Sequence, residues 1–249
     1  MAYPRCLRVL AALGLAALGV CPLSCAKQEE AGEPDWAAQS DAMVDMLVAH
    51  WELQDQRVIA AMRKTPRHLF IPEEVRPYAY VDTPLPIGNQ QTISAPSIVA
   101  LMTELLQPKP EHIVFEVGTG SGYQAAVLAE LVEHVYSIEI VEPLAYSARA
   151  RLRELGYENV SVRAGDGYRG WPAHAPFDGI IVTCAPNRIP EPLVEQLKEG
   201  GRMVIPVGEA GGPQELYLLT KEDGEIVKKS VLPVIFVPMT GEVQQGPGE

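Results

Sequence analysis

Val114-Phe115-Glu116-Val117-Gly118-Thr119-Gly120-Ser121-Gly122-Tyr123 is the stretch from which the rest of the chain can be read. An apolar run, Ile113 to Val117 with Glu116 near its end, stops at Gly118. Three alternating glycines follow, Gly118, Gly120 and Gly122, and then apolar residues at helical spacing: Tyr123, Val127, Leu128 and Leu131. The pattern predicts a buried strand, a tight turn and a helix. Glycines in such a turn let the backbone approach a ligand closely, and the first N–H groups of the helix are free to meet it. A second apolar run, His134 to Ile140, carries Glu139, 21 residues after Gly118. An acid at that distance can accept hydrogen bonds from both hydroxyls of a ribose. Turn and acid together predict a nucleoside-containing ligand rather than a bare strand-to-helix turn.

The dinucleotide fingerprint is G-x-G-x-x-G. Here the third glycine comes one residue early, and the close helix contact made by the last glycine of that fingerprint is not expected. A dehydrogenase is thereby set back. With Glu116 ahead of the turn, the spacing resembles the first motif of S-adenosylmethionine-dependent methyltransferases. Their ligand has no pyrophosphate to cradle. It has an amino-acid portion whose ammonium group Glu116 could orient.

Outward from the turn, apolar spacing predicts helix over 36–62 (Met43, Leu47, Trp51, Val58, Met62), ended by Pro66. Residues 66–96 are rich in Pro and turn residues and have little periodicity, so they read as a long functional loop. Pro96 starts a helix stopped by Pro108. After the second strand come a helix from Pro143 to Leu155, strands at Asn159 to Arg163 and Asp178 to Thr183, and a short helix from Pro190 to Lys198 capped by Gly200-Gly201. A strand at Arg202 to Val207 follows, then two strands flanking Lys221-Glu222-Asp223-Gly224. Alternating strands and helices imply an α/β fold, a doubly wound, mostly parallel sheet with helices on both faces. The last pair implies an antiparallel edge hairpin near the C-terminus.

The 249 residues carry a formal net charge of −12, and the part after residue 24 carries −14, because the first 24 hold Arg5 and Arg8 and no acid. Such a chain is a poor partner for a nucleic-acid backbone, and no nucleic acid is expected. Arg5 and Arg8 precede an apolar run from Val9 to Val20, shorter than the roughly 20 residues that span a bilayer and of the length of a signal-peptide core. Leu23-Ser24-Cys25 resembles a bacterial lipoprotein acceptor site, with Pro22 where a Leu is usual. The expected organisation is a leader over 1–25, a flexible tether over 26–35 and one catalytic domain over 36–249. The cell envelope or periplasm follows from that leader, with a membrane tether through Cys25; the cytoplasm is the alternative. Cys6, Cys21 and Cys25 fall in the leader, which leaves Cys184 alone and predicts no internal disulfide. The five histidines are scattered and no His/Cys spacing suits zinc, so no metal is expected.

Three further stretches narrow the family. They are Leu85-Pro86-Ile87-Gly88-Asn89-Gln90-Gln91-Thr92-Ile93-Ser94-Ala95-Pro96, then Gly165-Asp166-Gly167-Tyr168 with Gly170-Trp171, and Ile181-Val182-Thr183-Cys184-Ala185-Pro186. With the glycine turn, the chain from about Gln56 to Thr240 resembles the protein-L-isoaspartate O-methyltransferases. The resemblance implies a Rossmann-like class I methyltransferase, with isoaspartyl residues of damaged proteins as its substrates, transferring a methyl group from S-adenosyl-L-methionine to their free carboxylate. It implies Ser94 at the catalytic centre and Thr92, Ile93, Ser94, Ala95 and Pro96 against the substrate. It implies Glu116, Gly118, Gly120, Gly122 and Glu139 around the cofactor, Asp166 and Gly167 at its adenine end, and Thr240 and Gln245 near it. Members are usually cytoplasmic, and a monomer is expected. Where relatives often carry an aromatic residue or His after Ser-x-Pro, this chain has Ser97.

A carboxylate with a pKa of about 3.5 to 4 is already ionised at neutral pH and needs no strong general base. Positioning and exclusion of water suffice, helped by helix N–H groups after Pro96. Two other readings stand beside this one: a methyltransferase acting on another acceptor, and a non-catalytic envelope protein that binds S-adenosylmethionine.

Overall fold

The computed structural model describes residues 34–242. The leader, the tether up to position 33 and Gln245 lie outside the described residues. The helical spacing over 36–62 is carried by two helices rather than one. Helix α1 (Trp36–Trp51) is capped by Asp35, whose carboxylate accepts from Ala38 N at 2.9 Å. Glu52 turns left-handed at φ 54°, and Asp55 then caps α2 (Gln56–Lys64) through Arg57 N at 2.9 Å. An Asp at this point offers the backbone a fresh N-cap, and that breaks the helix where the apolar period alone does not. Glu104 fastens the break from outside, accepting from Gln54 N at 2.7 Å and Asp55 N at 2.6 Å.

The long loop expected over 66–96 is built of short regular pieces. Two 3₁₀ helices, Arg67–Phe70 and Glu73–Tyr78, are followed by a hairpin of β1 (Leu85–Gly88) and β2 (Gln91–Ile93). The pieces run three to six residues, too short for a period to show. The hairpin turns on Asn89 and Gln90, both at positive φ (50° and 59°), the backbone that matches strand twist in a two-residue turn. Thr92, Ile93 and Ser94 thus leave a defined strand directly into α3 (Pro96–Leu106).

The central sheet contains β3 (Ile113–Val117), β4 (His134–Glu139), β5 (Val160–Ala164), β6 (Phe177–Val182), β7 (Leu197–Gly208), β8 (Gln214–Glu222) and β9 (Glu225–Val234). Its order is β5-β4-β3-β6-β7-β8-β9. The five strands from β5 to β7 are parallel, and β8 and β9 extend them antiparallel. Helices α4 (Tyr123–Ala129), α5 (Glu142–Glu154) and α6 (Glu191–Glu195) lie between strands in the chain. The helix expected over Pro190 to Lys198 is a little more than one turn. Leu197 already pairs with Phe177, so the strand starts early and Gly200-Gly201 lie within it rather than capping a helix. The edge hairpin forms as expected and turns on Asp223 and Gly224 at φ 53° and 81°.

Alternation along β3 divides the core. Val114 packs with the helices α1 to α4, while Phe115 and Val117 face the other side, where Phe115 stacks on Phe177 at 4.9 Å. Covering on both faces explains the unbroken apolar runs. β3 has β4 on one side and β6 on the other, so the strand order reverses there. Open parallel sheets bind ligands in the crevice at the carboxyl ends of such strands.

Candidate functional site

The glycine turn sits in that crevice and is held from below by its neighbours. Gly118 adopts φ +97°, and a Cβ there would lie 2.4 Å from Thr183 Oγ1. Thr183, the first residue beyond β6, fills that space with its hydroxyl, donating to Gly118 O at 2.6 Å. Gly118 N donates to Ile138 O at 2.9 Å. Glu139 completes the frame: one oxygen accepts from Gly120 N at 2.7 Å and the other from Val141 N at 2.9 Å. A carboxylate has about four acceptor sites, so lone pairs on both oxygens are left for a ligand.

Glu116 does not reach the crevice. It is fully buried behind the turn, where Oε2 accepts from Ser137 Oγ, which lies 2.5 Å from Thr119 Oγ1; Oε1 has no partner. Burial pushes its pKa up to about 8; the Ser137 hydrogen bond opposes this and the charge of Glu139 adds to it. The carboxyl group supports the turn through two hydroxyls and stands behind the surface on which an ammonium group was expected to meet it. Gly122 also faces away: a Cβ there would come within 3.2 Å of Leu152. The third glycine therefore does make a close helix contact, against α5, despite its early place in the sequence.

A cleft of about 570 Å³, counted out to its open mouth, lies over the turn. Gly118, Gly120, Glu139, Gly167, Thr240 and Thr92 all line it. Gly167 is a close-approach position, since a Cβ there would lie 2.3 Å from Val117 Cγ1. Asp166 does not line the cleft. Its oxygens accept from Tyr168 N at 2.9 Å and Glu242 N at 2.8 Å, and it thereby fastens the C-terminal segment that brings Met239 and Thr240 to the wall. Cys184 also lines the cleft, with burial pushing its thiol far above the ordinary value, so it stays protonated.

A smaller cleft of about 320 Å³ runs from the turn to Thr92, Ile93 and Ser94, with Tyr123 and Gln124 in its walls. A third space, an apolar groove of about 690 Å³, passes Ser94, Ala95 and Ile98 and follows the chain beyond β9, where Ile235 is 91% exposed. Thr92 and Thr183 line all three spaces, and Ser94 the last two. Pro96 is the first residue of α3 and is buried. The helix N–H groups expected to serve an anion here are occupied: Ser97 N donates to Asp82 Oδ1 at 2.9 Å, and Ile98 N and Val99 N to Ala95 O. Neither Thr183 nor the 232–237 groove is marked by a sequence signal: Thr183 is one polar residue at the end of an apolar strand, and the groove exists only once β9 lies at the sheet edge. Among the described residues no cluster of His, Cys, Asp and Glu could hold a metal ion.

Residues 38–244 match the protein family described as protein-L-isoaspartate(D-aspartate) O-methyltransferase. The chain is 59% identical over 189 residues to protein-L-isoaspartate O-methyltransferase 2 of Polaromonas sp., covering 76% of this chain and 90% of the relative. It is 55% identical over 204 residues to the protein-L-isoaspartate O-methyltransferase of Opitutus terrae, covering 82% and 88%. Among solved structures it is similar to a protein-L-isoaspartate O-methyltransferase at TM-score 0.76 and 30% identity, covering 82% of this chain and 67% of that one. It is also similar to one from Plasmodium falciparum in complex with S-adenosyl-L-homocysteine, at TM-score 0.71 and 28% identity, covering 81% and 98%.

The buried carboxyl of Glu116 makes stability depend on pH. Its folded pKa lies above the unfolded value, so between about 4.5 and about 8 the folded state holds a proton that the unfolded state has lost. This contribution is present at low pH and is lost as pH rises through that window, at up to about 1.4 kcal/mol per pH unit. Urea unfolding across the window should show a steeper decline for the wild type than for Glu116→Gln; parallel curves would contradict it.

Proposed function

The chain belongs to the protein-L-isoaspartate(D-aspartate) O-methyltransferase family, and on that footing we propose that Ser94, between the apolar groove and the glycine turn, receives the isoaspartyl carboxylate. The enzyme uses S-adenosyl-L-methionine, which supplies a sulfonium methyl group when bound. The cleft fits that molecule. Gly118 and Gly167 line it as bare backbone, Glu139 presents acceptors suited to two ribose hydroxyls, and the lining carries no Lys or Arg of the kind a pyrophosphate would call for.

In this reading Gly118 and Gly120 border the amino-acid portion of the cofactor, Glu139 the ribose, and Gly167 the adenine end. Thr240 closes the wall, kept there by Asp166, and Glu116 acts indirectly by bracing Thr119. Ser94 donates a hydrogen bond to the substrate carboxylate, Thr92 marks the passage between groove and cleft, and Ala95 and Ile98 bound the peptide. Pro96 sets the start of α3, and with it the direction in which Ser94 leaves β2. The nucleophile arrives ionised, so the residues have only to orient it and keep water out. The observation that carries this reading is the meeting of three spaces at Thr92 and Thr183, with Ser94 alongside.

A synthetic isoaspartyl peptide should be methylated far faster than the matching aspartyl peptide; equal rates would sink the assignment of the acceptor. Ser94→Ala should lower turnover more than it lowers S-adenosylmethionine affinity measured by calorimetry. Equal losses in the two would remove Ser94 from the substrate side.

We further propose that residues 1–25 are an export leader and that Cys25 carries lipid, which tethers the enzyme in the cell envelope. The support is Arg5 and Arg8 before the Val9 to Val20 run, followed by Leu23-Ser24-Cys25. One acyl chain binds membranes only marginally, so a firm anchor needs more than one on the same cysteine. Mass spectrometry of the protein from its own cells should find a chain starting at an acylated Cys25. An intact Met1 in the cytoplasmic fraction would end the export proposal; a cleaved, unlipidated chain would end the tether.

A further inference from the structure

The substrate group is an anion, and the surfaces that would receive it hold no cation. Neither the small cleft nor the apolar groove is lined by Lys or Arg. The start of α3 offers nothing free, because Asp82 takes Ser97 N and Ala95 O takes the next two N–H groups. The chain as a whole carries −12. Bringing a carboxylate out of water into such a place is costly without a compensating positive charge.

One positive charge lies directly behind Ser94. Arg67 is fully buried at 0% exposure. Its Nη2 donates to Ser94 O at 2.7 Å and its Nε to Ala79 O at 2.8 Å, while Nη1 has no partner. The guanidinium lies 4.9 Å from the centre of the Tyr123 ring, which is itself a wall of the small cleft. No carboxylate forms a salt bridge with Arg67 among the described residues, and Asp82, whose charge it feels, is committed to Ser97. A guanidinium keeps its charge at neutral pH even when buried. A buried cation without an anion is expensive, and an arriving carboxylate would relieve that cost.

We propose that Arg67 is a positioning residue for the isoaspartyl substrate: it fixes the Ser94 peptide and supplies, from behind it, the positive potential that holds the ionised carboxylate. This rests on the placement of that carboxylate at Ser94. Because Arg67 touches the backbone of Ser94 and does not line the substrate spaces, it acts through the field rather than by contact. The carboxylate loses its charge when it becomes an ester. The cation therefore favours the ionised substrate over the neutral product, and its contribution belongs to binding, not to the rate of the bound complex.

The test uses Arg67→Gln, which can still hydrogen-bond but has no charge. Coulomb attraction across one layer of protein leads to a rise of roughly tenfold or more in KM for an isoaspartyl peptide in Arg67→Gln, with kcat unchanged or higher. S-adenosylhomocysteine affinity should stay within about twofold of wild type. A fall in kcat at unchanged KM, or an equal loss of S-adenosylhomocysteine affinity, would overturn the proposal. A wild-type measurement decides even if Arg67→Gln does not fold. Calorimetry with excess S-adenosylhomocysteine should find the isoaspartyl peptide bound roughly tenfold more tightly than its carboxamide analogue. Equal binding of the two would overturn the proposal. If Ser94→Ala leaves methylation unchanged, the carboxylate is not at Ser94 and the Arg67 proposal falls with that placement. A Ser94 effect with unaltered peptide affinity in Arg67→Gln removes the Arg67 proposal alone.

Discussion

The contact between Thr183 and the backbone of Gly118 sets the spacing on which the site depends. A hydroxyl from the end of β6 occupies the position that any side chain at 118 would need, and it ties the turn after β3 to the neighbouring strand. Both strands are parallel and end at the same level, so this bond joins the two sides of the point where the sheet order reverses. Glu139 does the same from β4 through Gly120 N. The turn is thus clamped between its two neighbours, and its outer surface is left as backbone and small side chains for a cofactor to rest on. A site prepared in this way needs little ordering when its ligand arrives.

Two ionisable groups near the site are fully buried, Glu116 and Arg67. Glu116 lies behind the turn and is shifted toward the neutral form by burial. Arg67 lies behind Ser94 and remains a cation by the chemistry of guanidinium. Each has one polar atom without a partner, Oε1 and Nη1 respectively. The neutral acid costs little to bury and serves as a brace. The cation costs more to bury, and it holds the carbonyls of Ala79 and Ser94 in return.

The C-terminal segment supplies a wall that the central strands cannot. After β9 the chain turns back, and Val237 and Met239 exchange backbone hydrogen bonds with Ala185 at 2.8 Å. Asp166 then holds Glu242 N, and a Cβ at Gly241 would lie 2.5 Å from its carboxylate. Asp166, expected at the adenine end of the cofactor, stands outside the cleft lining and holds the segment that carries Met239 and Thr240 into it, and Gly241 is the residue that lets the chain come close enough.

The α/β order, the glycine turn, Glu139 and the Ser94 segment were all legible in the chain. Local periodicity and turn chemistry carry them, and these depend on neighbours in sequence. The break between α1 and α2 was hidden because both helices bury residues at a shared period, and the 66–96 pieces because each is shorter than the period that would reveal it. The order of β8 and β9 was not legible, since a hairpin pattern does not say which of its strands meets the sheet. Nor was the division of the acids into those that face the cleft and those that stand behind it. Glu116 and Glu139 are both acids near strand ends, yet Glu139 lines the cleft and Glu116 does not. The sequence alone determined which residue types the turn and its flanks require, because backbone conformation restricts them locally. Only the tertiary structure decided which of those residues meet solvent, ligand or one another, because burial and the pairing of charges arise from segments as distant in sequence as Arg67, Ser94 and Tyr123.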